Sequence, residues 1–325
     1  MKFIEPNVTL IEEKDPYKKI ELAGRVCYKS ESKITDDSAK KFVRGLIKST
    51  HTAMLEHKVF VFEIYDDSAV YTEFLRRDNY FHVTSEIIKD KKGYRNRVIA
   101  SASVRAICQR GINDPIYRAI YKEYPDVCYN INPSALELFD YVDVRIIDVE
   151  KEYINFNVKE LIEHIYFTFR IITDRGVTHE LVRHRPCSFA QESTRYVNYK
   201  DGISIALPSG YYAKPHYVQE IYQDAFEHAE KCYKELIEEC GESPQQARAV
   251  LPTALKTEII ITTNLKEYIH ILNLRYKGTT GNPHPDIKVV AEKINYLIKA
   301  QMRNHPLNIE NILNIDINSR EYRNV

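Results

Sequence analysis

The sequence predicts an α+β fold in one elaborated domain. Short apolar or β-branched runs typical of strands alternate with longer stretches whose apolar residues recur at helical spacing. No Ser/Gly-rich linker or low-complexity segment divides the 325 residues. We therefore expect a single domain over residues 1–325, although a chain of this length also permits two.

The first elements are a predicted helix followed by a predicted strand. Residues 37–48 carry apolar side chains at helical spacing. Residues 57–64 (HKVFVFEI) alternate so that one face of a strand is wholly apolar and the other mostly apolar. Further along, we predict a helix around residues 98–110 and interpret the β-branched stretch 141–149 as a strand. No catalytic motif stands out between about residues 65 and 160.

Two segments of the chain resemble each other. Residues 55–62 read LEHKVFVF, and residues 162–169 read IEHIYFTF. Two paired strands with similar faces would explain the similarity, and a chance likeness between two β-rich stretches would explain it equally well. A solenoid would need more copies than two.

The C-terminal part is rich in predicted helices. The clearest is residues 218–240, whose apolar stripe stops at Gly241. Ser243 and Gln246 have the spacing of a capping box and open a short helix that carries Arg248. After a β-branched strand at 257–263, Asn264 can cap a helix that runs to about residue 277, and residues 286–302 form a closing helix.

Composition excludes several classes of protein. Hydrophobic residues make up 44% and charged residues 28%, and no run approaches the ~18 apolar residues that a membrane helix needs. The N-terminus has no apolar core of signal-peptide length, so we expect a cytoplasmic protein that does not span a membrane. The 46 basic and 46 acidic residues balance, so no overall field attracts nucleic acid or an anionic membrane.

Known cofactor and metal motifs are missing from the sequence. The six cysteines lie far apart, without CxxC pairs or zinc spacing, and we interpret them as reduced thiols and expect no metal site. Neither GxGxxG nor GxxxxGK[ST] occurs. Any nucleotide or phosphate site must therefore use other residues.

The strongest candidate for such a site is residues 183–196, RHRPCSFAQESTRY. Arg183, Arg185 and Arg195 lie close in sequence to serine and threonine hydroxyls, a composition that suits phosphate oxygens. Pro186 is expected to end the preceding helix, which places these arginines in a loop. The competing interpretation is a solvated basic turn whose arginines pair with acids such as Glu180 and Glu192.

This string resembles the signature of the flavin-dependent thymidylate synthases, the ThyX family. In that family RHR is followed by seven residues, a serine and then Arg-Tyr, and this chain reads RHR-PCSFAQE-S-T-RY. Other segments are similar in order and spacing to further family elements. They are residues 25–28 (RVCY), 49–51 (STH), 55–57 (LEH), 248–252 (RAVLP), 264–266 (NLK) and 272–275 (LNLR).

The resemblance implies a fold, a reaction and an assembly. The implied fold is an antiparallel or mixed sheet flanked by helices, with about residues 65–160 as a large insertion of unknown role. The implied reaction is reductive methylation of dUMP to dTMP, with methylenetetrahydrofolate as carbon donor and NADPH reducing bound FAD. It also implies a homotetramer whose active sites lie between subunits.

Site residues also follow from the resemblance. Those implied to line the nucleotide site are Glu180, Leu181, Val182, Arg183, Gln191, Glu192, Ser193, Thr194, Arg195, Arg248 and Arg275. Those implied to contact FAD are His51, Ala53, Arg183, His184, Arg185, Gln191, Asn264, Leu265, Lys266 and His270. Gln191 occupies a position usually held by a carboxylate, Ala53 replaces a frequent threonine, and Lys266 replaces an arginine.

Arg275 is implied to lie nearest to the chemistry. A fixed guanidinium there stabilises negative charge that develops on the uracil ring more than it stabilises the substrate. Taken alone, Arg275 is also explained as a helix-end arginine that complements the helix dipole. Cys187, inside the signature, is interpreted as a structural thiol rather than as a nucleophile.

Two other functions stay open. One is a flavin- and folate-dependent methyltransferase that acts on uracil in RNA, although zero net charge and the lack of a basic stripe disfavour it. The other is a non-catalytic nucleic-acid-binding module. The 24 tyrosines are scattered rather than interleaved with basic residues, which disfavours a stacking surface.

Overall fold

The computed structural model describes residues 1–91, 93–129, 139, 141–149, 158–303, 305 and 312–313. The strands are β1 (Lys2–Ile4), β2 (Asn7–Leu10), β3 (Val59–Tyr65), β4 (His82–Asp90), β5 (Gly93–Ser103), β6 (Asp143–Ile147), β7 (Tyr166–Asp174), β8 (Ser188–Gln191), β9 (Ser204–Ala206) and β10 (Lys256–Asn264). The helices are α1 (Pro16–Tyr28), α2 (Ser38–Lys48), α3 (Val70–Arg76), α4 (Val104–Arg110), α5 (Pro115–Glu123), α6 (Val158–Leu161), α7 (Arg175–Leu181), α8 (His216–Glu238), α9 (Pro244–Ala247), α10 (Leu265–Arg275) and α11 (Pro285–Gln301).

Two antiparallel sheets of four strands form the frame. In one sheet the strand order is β2-β7-β10-β8, and in the other it is β4-β5-β3-β6. Strands β1 and β9 form a small parallel pair. Because helices surround antiparallel sheets, the predicted α+β class is confirmed.

The apolar faces of these elements make two main cores. One core packs β7 and β10 against α10 and α11, and it also takes in Ile99 and Ile147 from the other sheet. The second core packs β3 and β5 against α2, α4 and α5. Ile99 of β5 and Ile147 of β6 therefore join the two sheets through apolar contact. Among the helices that the structure describes, none combines the length and apolarity that crossing a membrane requires.

Most predicted helices are confirmed within a few residues. They correspond to α2, α8, α10 and α11. Asn264 caps α10 as expected, since its Oδ1 accepts the backbone N–H of Glu267 at 2.9 Å. The strands predicted at 57–64, 141–149 and 257–263 are confirmed as β3, β6 and β10.

Two local predictions are corrected by the structure. Residues 98–103 belong to β5, and only 104–110 are helical. Val98, Ile99, Ala100 and Ala102 are all buried, so this run is apolar on both faces and its periodicity does not separate a strand from a helix. Helix α9 does follow Ser243, but no side chain caps it, because the Ser243 hydroxyl donates to Oε1 of Gln246 instead.

The two similar segments are not paired strands. Strand β3 pairs with β5 and β6, whereas β7 pairs with β10 and β2 in the other sheet. The paired-strand interpretation is therefore wrong, and the similarity needs another explanation.

Candidate active site

The arginine turn begins where α7 ends. Asp174 caps α7 by accepting the N–H of Val177 at 2.8 Å, and the helix stops at Leu181, ahead of Pro186. In the turn that follows, His184 is buried, whereas Arg183 and Arg185 are exposed. Neither guanidinium makes a side-chain hydrogen bond or ion pair with the part of the chain that the structure describes. Both are available to an anion.

Beneath this turn lies a polar group that we call the helix-end cluster, made of Glu180, His184, Glu267, His270 and Arg275. Arg275 is the last residue of α10, and its Nη1 lies 2.7 Å from Oε2 of Glu180. Its Nε donates to Nε2 of His184 at 3.3 Å. These contacts hold the guanidinium in one orientation, with its side chain still 22% exposed.

The other side of His184 faces an acid and a second imidazole. Its Nδ1 lies 3.4 Å from Oε1 of Glu267, and its ring centroid lies 5.8 Å from that of His270. Ligand atoms of these three residues lie within 4.8 Å of one another, a grouping that can hold a metal ion. No metal is needed for the site described here, and the prediction of a metal-free site stays a prediction.

Strand β8 carries the middle of the signature and is held by polar side chains. Gln191 Nε2 donates to Oγ1 of Thr178 at 2.9 Å and to Oγ1 of Thr257 at 3.3 Å. Pro186 is anchored as well, because its carbonyl accepts the Thr263 hydroxyl at 2.9 Å. The start and the end of this part of the signature are thus fixed to β10 and α7.

Glu192 is buried in a charged network behind the loop. Its Oε2 lies 2.9 Å from Nζ of Lys256, and its Oε1 accepts the Tyr199 hydroxyl at 2.9 Å. Burial, and then the Glu192 charge, raise the pKa of Tyr199, so the phenol keeps its proton and donates it. Burial opposes the charge of Lys256, but Glu192 and Glu258 outweigh it and raise the pKa of that amine.

Residues 193–195 and Arg248 form what we call the hydroxyl–arginine loop. The N–H of Ser193 donates to the carbonyl of Cys27 at 3.0 Å, which fixes the loop to the end of α1. Arg248 Nη1 donates to Oγ1 of Thr194 at 3.2 Å. Arg195 Nε donates to the amide oxygen of Gln245 at 2.9 Å, and both arginines are exposed.

The remaining predicted residues divide between the core and the surface. Leu181 and Leu265 are buried, whereas Val182 is exposed. Asn264 is buried. Its Oδ1 caps α10, and its Nδ2 donates to the carbonyl of Glu163. Lys266 pairs with Glu163 at the outer side of α10. Burial opposes the charge of Glu163, but hydrogen bonds from His82 and Lys266 lower its pKa to about 2.

His51 and Ala53 are not brought to the arginine turn. Both are exposed at the beginning of the 3-10 turn Thr52–His57. Within the described ranges, no hydrogen bond, ion pair or ring contact joins either of them to residues 183–185. Their proposed contact with a flavin stays a prediction.

The structure rejects the interpretation of a salt-paired basic turn. Glu180 pairs with Arg275, and Glu192 pairs with Lys256. Neither acid therefore neutralises Arg183 or Arg185. Among the described residues, Arg183 and Arg185 thus have no ion-pair partner, which suits an anion site.

The chain matches the family model described as "Thymidylate synthase complementing protein" over residues 9–104 and 118–302. This chain belongs to the Thy1 family. Curated relatives named flavin-dependent thymidylate synthase include those of Geobacter sulfurreducens and Pyrococcus furiosus. The first is 36% identical over 119 residues, which are 36% of this chain and 50% of the relative. The second is 35% identical over 137 residues, which are 39% of this chain and 54% of the relative.

These alignments are partial, since the chain spans about half the length of those two curated relatives. A third relative, from Corynebacterium glutamicum, is 29% identical over 157 residues, which are 44% of this chain and 60% of the relative. Among solved structures, a UMP/dUMP methylase, PolB from Streptomyces cacaoi with 5-Br dUMP, is similar at a TM-score of 0.41. Its sequence identity is 16%, and the comparison covers 92% of this chain and 93% of PolB.

In this Thy1 chain, Cys187 is poorly suited to act as a nucleophile. Burial raises the pKa of its thiol to about 12, and the charge of Glu267 acts in the same direction. Because the thiolate is the reactive form, a thiol with a raised pKa is almost entirely unreactive near neutral pH. The structural interpretation of Cys187 is favoured.

Several residues around the Thy1 site were not predicted as site residues. Glu267 is one of them, and its Oε1 is buried beside His184. Lys256 and Tyr199 hold Glu192, and Gln245 holds Arg195. Each of these side chains acts by holding another residue, so the spacing of the motifs does not indicate its role.

Proposed function

We propose that this Thy1 protein is a flavin-dependent thymidylate synthase that converts dUMP to dTMP. One observation carries the proposal. Arg183 and Arg185 are exposed and have no acidic partner among the described residues, while Arg275 is held in place by Glu180 and His184. The site thus offers free cations for phosphate and a separate, oriented cation for the reacting ring.

The hydroxyl–arginine loop supplies the elements of a nucleotide monophosphate site. Arg195 and Arg248 are exposed, and their described hydrogen bonds go to a neutral amide and a hydroxyl rather than to acids. Their charge is therefore not cancelled. A phosphate dianion can replace those neutral partners at little cost, because charge-assisted bonds are the stronger ones.

Arg275 is the proposed catalytic residue. Addition of a hydride equivalent to the uracil ring puts negative charge on its carbonyl oxygens, and a preoriented guanidinium stabilises that charge without reorganising. The bond to Glu180 and the bond to His184 supply this preorganisation. The dipole role at the end of α10 is compatible with this use of the same side chain.

The residues also fit FAD. A pyrophosphate needs planar cationic donors, and the exposed guanidiniums of Arg183 and Arg185 are such donors. His184 stands between the two arginines in sequence, its ring lies 5.8 Å from that of His270, and these residues would hold the cofactor. When bound, the flavin supplies the reducing equivalent, with NADPH and methylenetetrahydrofolate as co-substrates. The protein then binds, orients and polarises.

The proposal includes a cytoplasmic homotetramer with active sites between subunits. Support comes from the resemblance described above rather than from contacts within one chain. Light scattering on the purified protein gives the subunit number directly. A mass of four chains agrees with it, and any other stable mass contradicts it.

The deciding experiment is product analysis of the purified protein. With dUMP, methylenetetrahydrofolate, NADPH and FAD, we expect dTMP, together with a visible flavin absorbance band on the protein. A parallel reaction omits dUMP and supplies tRNA as the methyl acceptor instead. Methylation of tRNA without dTMP would favour the RNA methyltransferase, and colourless protein without any product would favour the binding module.

A further inference from the structure

The two four-stranded sheets have the same topology. The order β4-β5-β3-β6 in one sheet matches β8-β10-β7-β2 in the other. In both, a strand leads to a short helix, then to an outer strand, then to a long strand followed by two helices. We call residues 59–123 the first unit and residues 166–301 the second unit. Strand β3 is then the counterpart of β7, and β5 the counterpart of β10.

The strand registers also coincide. In the first unit Val59 pairs with Ser103, the residue that caps α4. In the second unit Tyr166 pairs with Asn264, the residue that caps α10. Val59 and Tyr166 both stand two residues after a histidine, so the similar segments 55–62 and 162–169 occupy equivalent places. Register is specific to one residue, and its coincidence in the central strand pairs of both sheets indicates a repeated structure.

Equivalent side chains make equivalent contacts. His57 Nδ1 lies 2.9 Å from the hydroxyl of Thr262 in β10, and His164 Nδ1 lies 2.9 Å from the hydroxyl of Ser101 in β5. Each histidine thus reaches from its own half of the chain into the other unit. Ion pairs are repeated as well. Arg105 in α4 pairs with Glu56 at 2.5 Å, and Lys266 in α10 pairs with Glu163.

The halves of the chain also exchange their edge strands. Strand β2, which precedes the first unit in the chain, pairs with β7 of the second unit. Strand β6, which precedes the second unit, pairs with β3 of the first. The last helix of each unit packs on the strand it receives, α5 on β6 and α11 on β2. Such an exchange of one element between equivalent partners is the pattern of a swapped dimer.

We propose that this chain is a tandem duplication folded as a swapped pseudo-dimer, in which only the second unit keeps an open nucleotide site and the first unit positions it. On this proposal, residues 65–123 are the body of the first unit rather than an insertion. The assignment of the nucleotide rests on the proposed function, whereas the duplication rests on the sheets alone.

The two units differ in the segment that joins the outer strand to the long strand, which is β4 to β5 in the first unit and β8 to β10 in the second. This difference explains which unit keeps the site. In the first unit β4 turns directly into β5, with Asp90 opposite Gly93. In the second unit residues 192–255 separate β8 from β10, and they carry Arg195 and Arg248. The tight turn leaves no room for such a loop. The first unit therefore lacks counterparts of Arg195 and Arg248.

A buried ion cluster also lies at the end of α4 in the first unit. Arg110 is the last residue of α4, as Arg275 is of α10. Its Nε lies 2.6 Å from Asp114 and its Nη1 lies 3.0 Å from Asp78, while only 7% of its side chain is exposed. The Tyr71 hydroxyl donates to Asp114 at 2.7 Å. Arg110 is thus neutralised twice and closed off from any ligand.

The first half of the chain instead supports the signature of the second unit. His57 holds Thr262, which lies opposite Ser188 at the start of β8. The Cys27 carbonyl holds the N–H of Ser193, and the rings of Tyr28 and Tyr196 lie 5.2 Å apart. These contacts place β8 and the loop after it. His57 is accordingly a positioning residue.

Matched arginine variants test how many sites the chain has. Counted along the chain from the equivalent strands, Arg76 stands at the position of Arg183. Equilibrium dialysis of the full chain with radiolabelled dUMP should give one site per chain. R183A should weaken binding at least about tenfold, and R76A should leave both affinity and stoichiometry unchanged. Two sites per chain, or half the binding in R76A, would overturn the proposal.

If dUMP does not bind at all, that result counts against the proposed function alone. A stability measurement then still tests the proposed difference between the two units. R110M leaves two acids beside an apolar side chain and should lower Tm by about 10 °C. R275M removes a partly exposed cation and should lower it by less than about 3 °C. If R110M fails to fold, R110M/D114N should regain a folding transition. Equal Tm values for R110M and R275M, or no gain in the double variant, would contradict a closed first unit.

Discussion

The two units of this molecule share a frame and differ in what is attached to it. Both build the same antiparallel sheet, with the same strand order and register. In the first unit a tight turn joins β4 to β5, and Arg110 is enclosed by two acids. In the second unit residues 192–255 replace the turn, and Arg275 is 22% exposed. The sheet thus serves as a common scaffold, and the segment between the outer and the long strand carries the residues proposed to bind the nucleotide.

The largest effect is expected in the shared frame. Phe62 and Phe169 occupy equivalent positions in β3 and β7, and both are fully buried. Replacing either by alanine should lower the free energy of unfolding by about 3–5 kcal/mol. Urea denaturation measures the change, and Tyr80→Ala, at a side chain that is 71% exposed, serves as a control. A cost below about 1 kcal/mol at Phe62 alone would show that the first unit is not integral to the fold.

The next largest effect is expected on catalysis, at Arg275 of the second unit. Arg275→Ala should lower kcat about 10²-fold or more, because it removes an oriented donor from the developing charge. Stability should change little, since the Arg275–Glu180 pair is partly exposed. Steady-state kinetics with saturating dUMP checks this. If kcat is unchanged and only KM rises, Arg275 binds the substrate without stabilising the transition state.

A smaller, pH-dependent effect tests the equivalence of the two cross-unit histidines. Burial lowers the pKa of both His57 and His164 from 6.5 to about 3, with nearby positive charge acting in the same direction. Between those values the unfolded chain binds a proton that the folded chain excludes, so stability falls as pH falls below about 6.5. Each histidine adds about 1.4 kcal/mol per pH unit to this slope.

Urea denaturation between pH 4 and pH 7 measures that slope, with about two points per pH unit enough to define it. His57→Asn and His164→Asn should each reduce it by a similar amount, since an amide does not titrate there. Unequal reductions would break the proposed equivalence of the two histidines.

The smallest effect is expected at Cys187. Because burial raises its pKa to about 12, the thiol stays protonated, and Cys187→Ser should retain dTMP formation within about twofold. Assays of the variant at pH 7 and pH 9 check this. An inactive variant that still folds and binds flavin would revive a nucleophilic role.

Local signals predicted much of this fold. The cap at Asn264 and the apolar stripe of α8 depend on neighbouring residues, so the sequence shows them directly. The start of the helix predicted at 98–110 belongs to strand β5, because burial of both faces of this run is decided by distant elements. The likeness of residues 55–62 and 162–169 is visible in the sequence, but strand partners depend on long-range pairing, and the two segments lie in different sheets.

The candidate site shows the same division. The family resemblance implied site roles for Arg183, Arg195, Arg248 and Arg275, whose charges are their own and need no partner to be recognised in a motif. Glu267, Lys256 and Gln245 act by holding those residues or their neighbours, and only the folded chain brings them together. Spacing does not show that Glu180 and Glu192 are already paired with other cations.

A crystal structure of the chain soaked with dUMP tests the central claim most directly. The account predicts one nucleotide per chain, with its phosphate on Arg195 and Arg248 and its ring beside Arg275 in the second unit. Density beside Arg110 in the first unit, or nucleotide in both units, would contradict it.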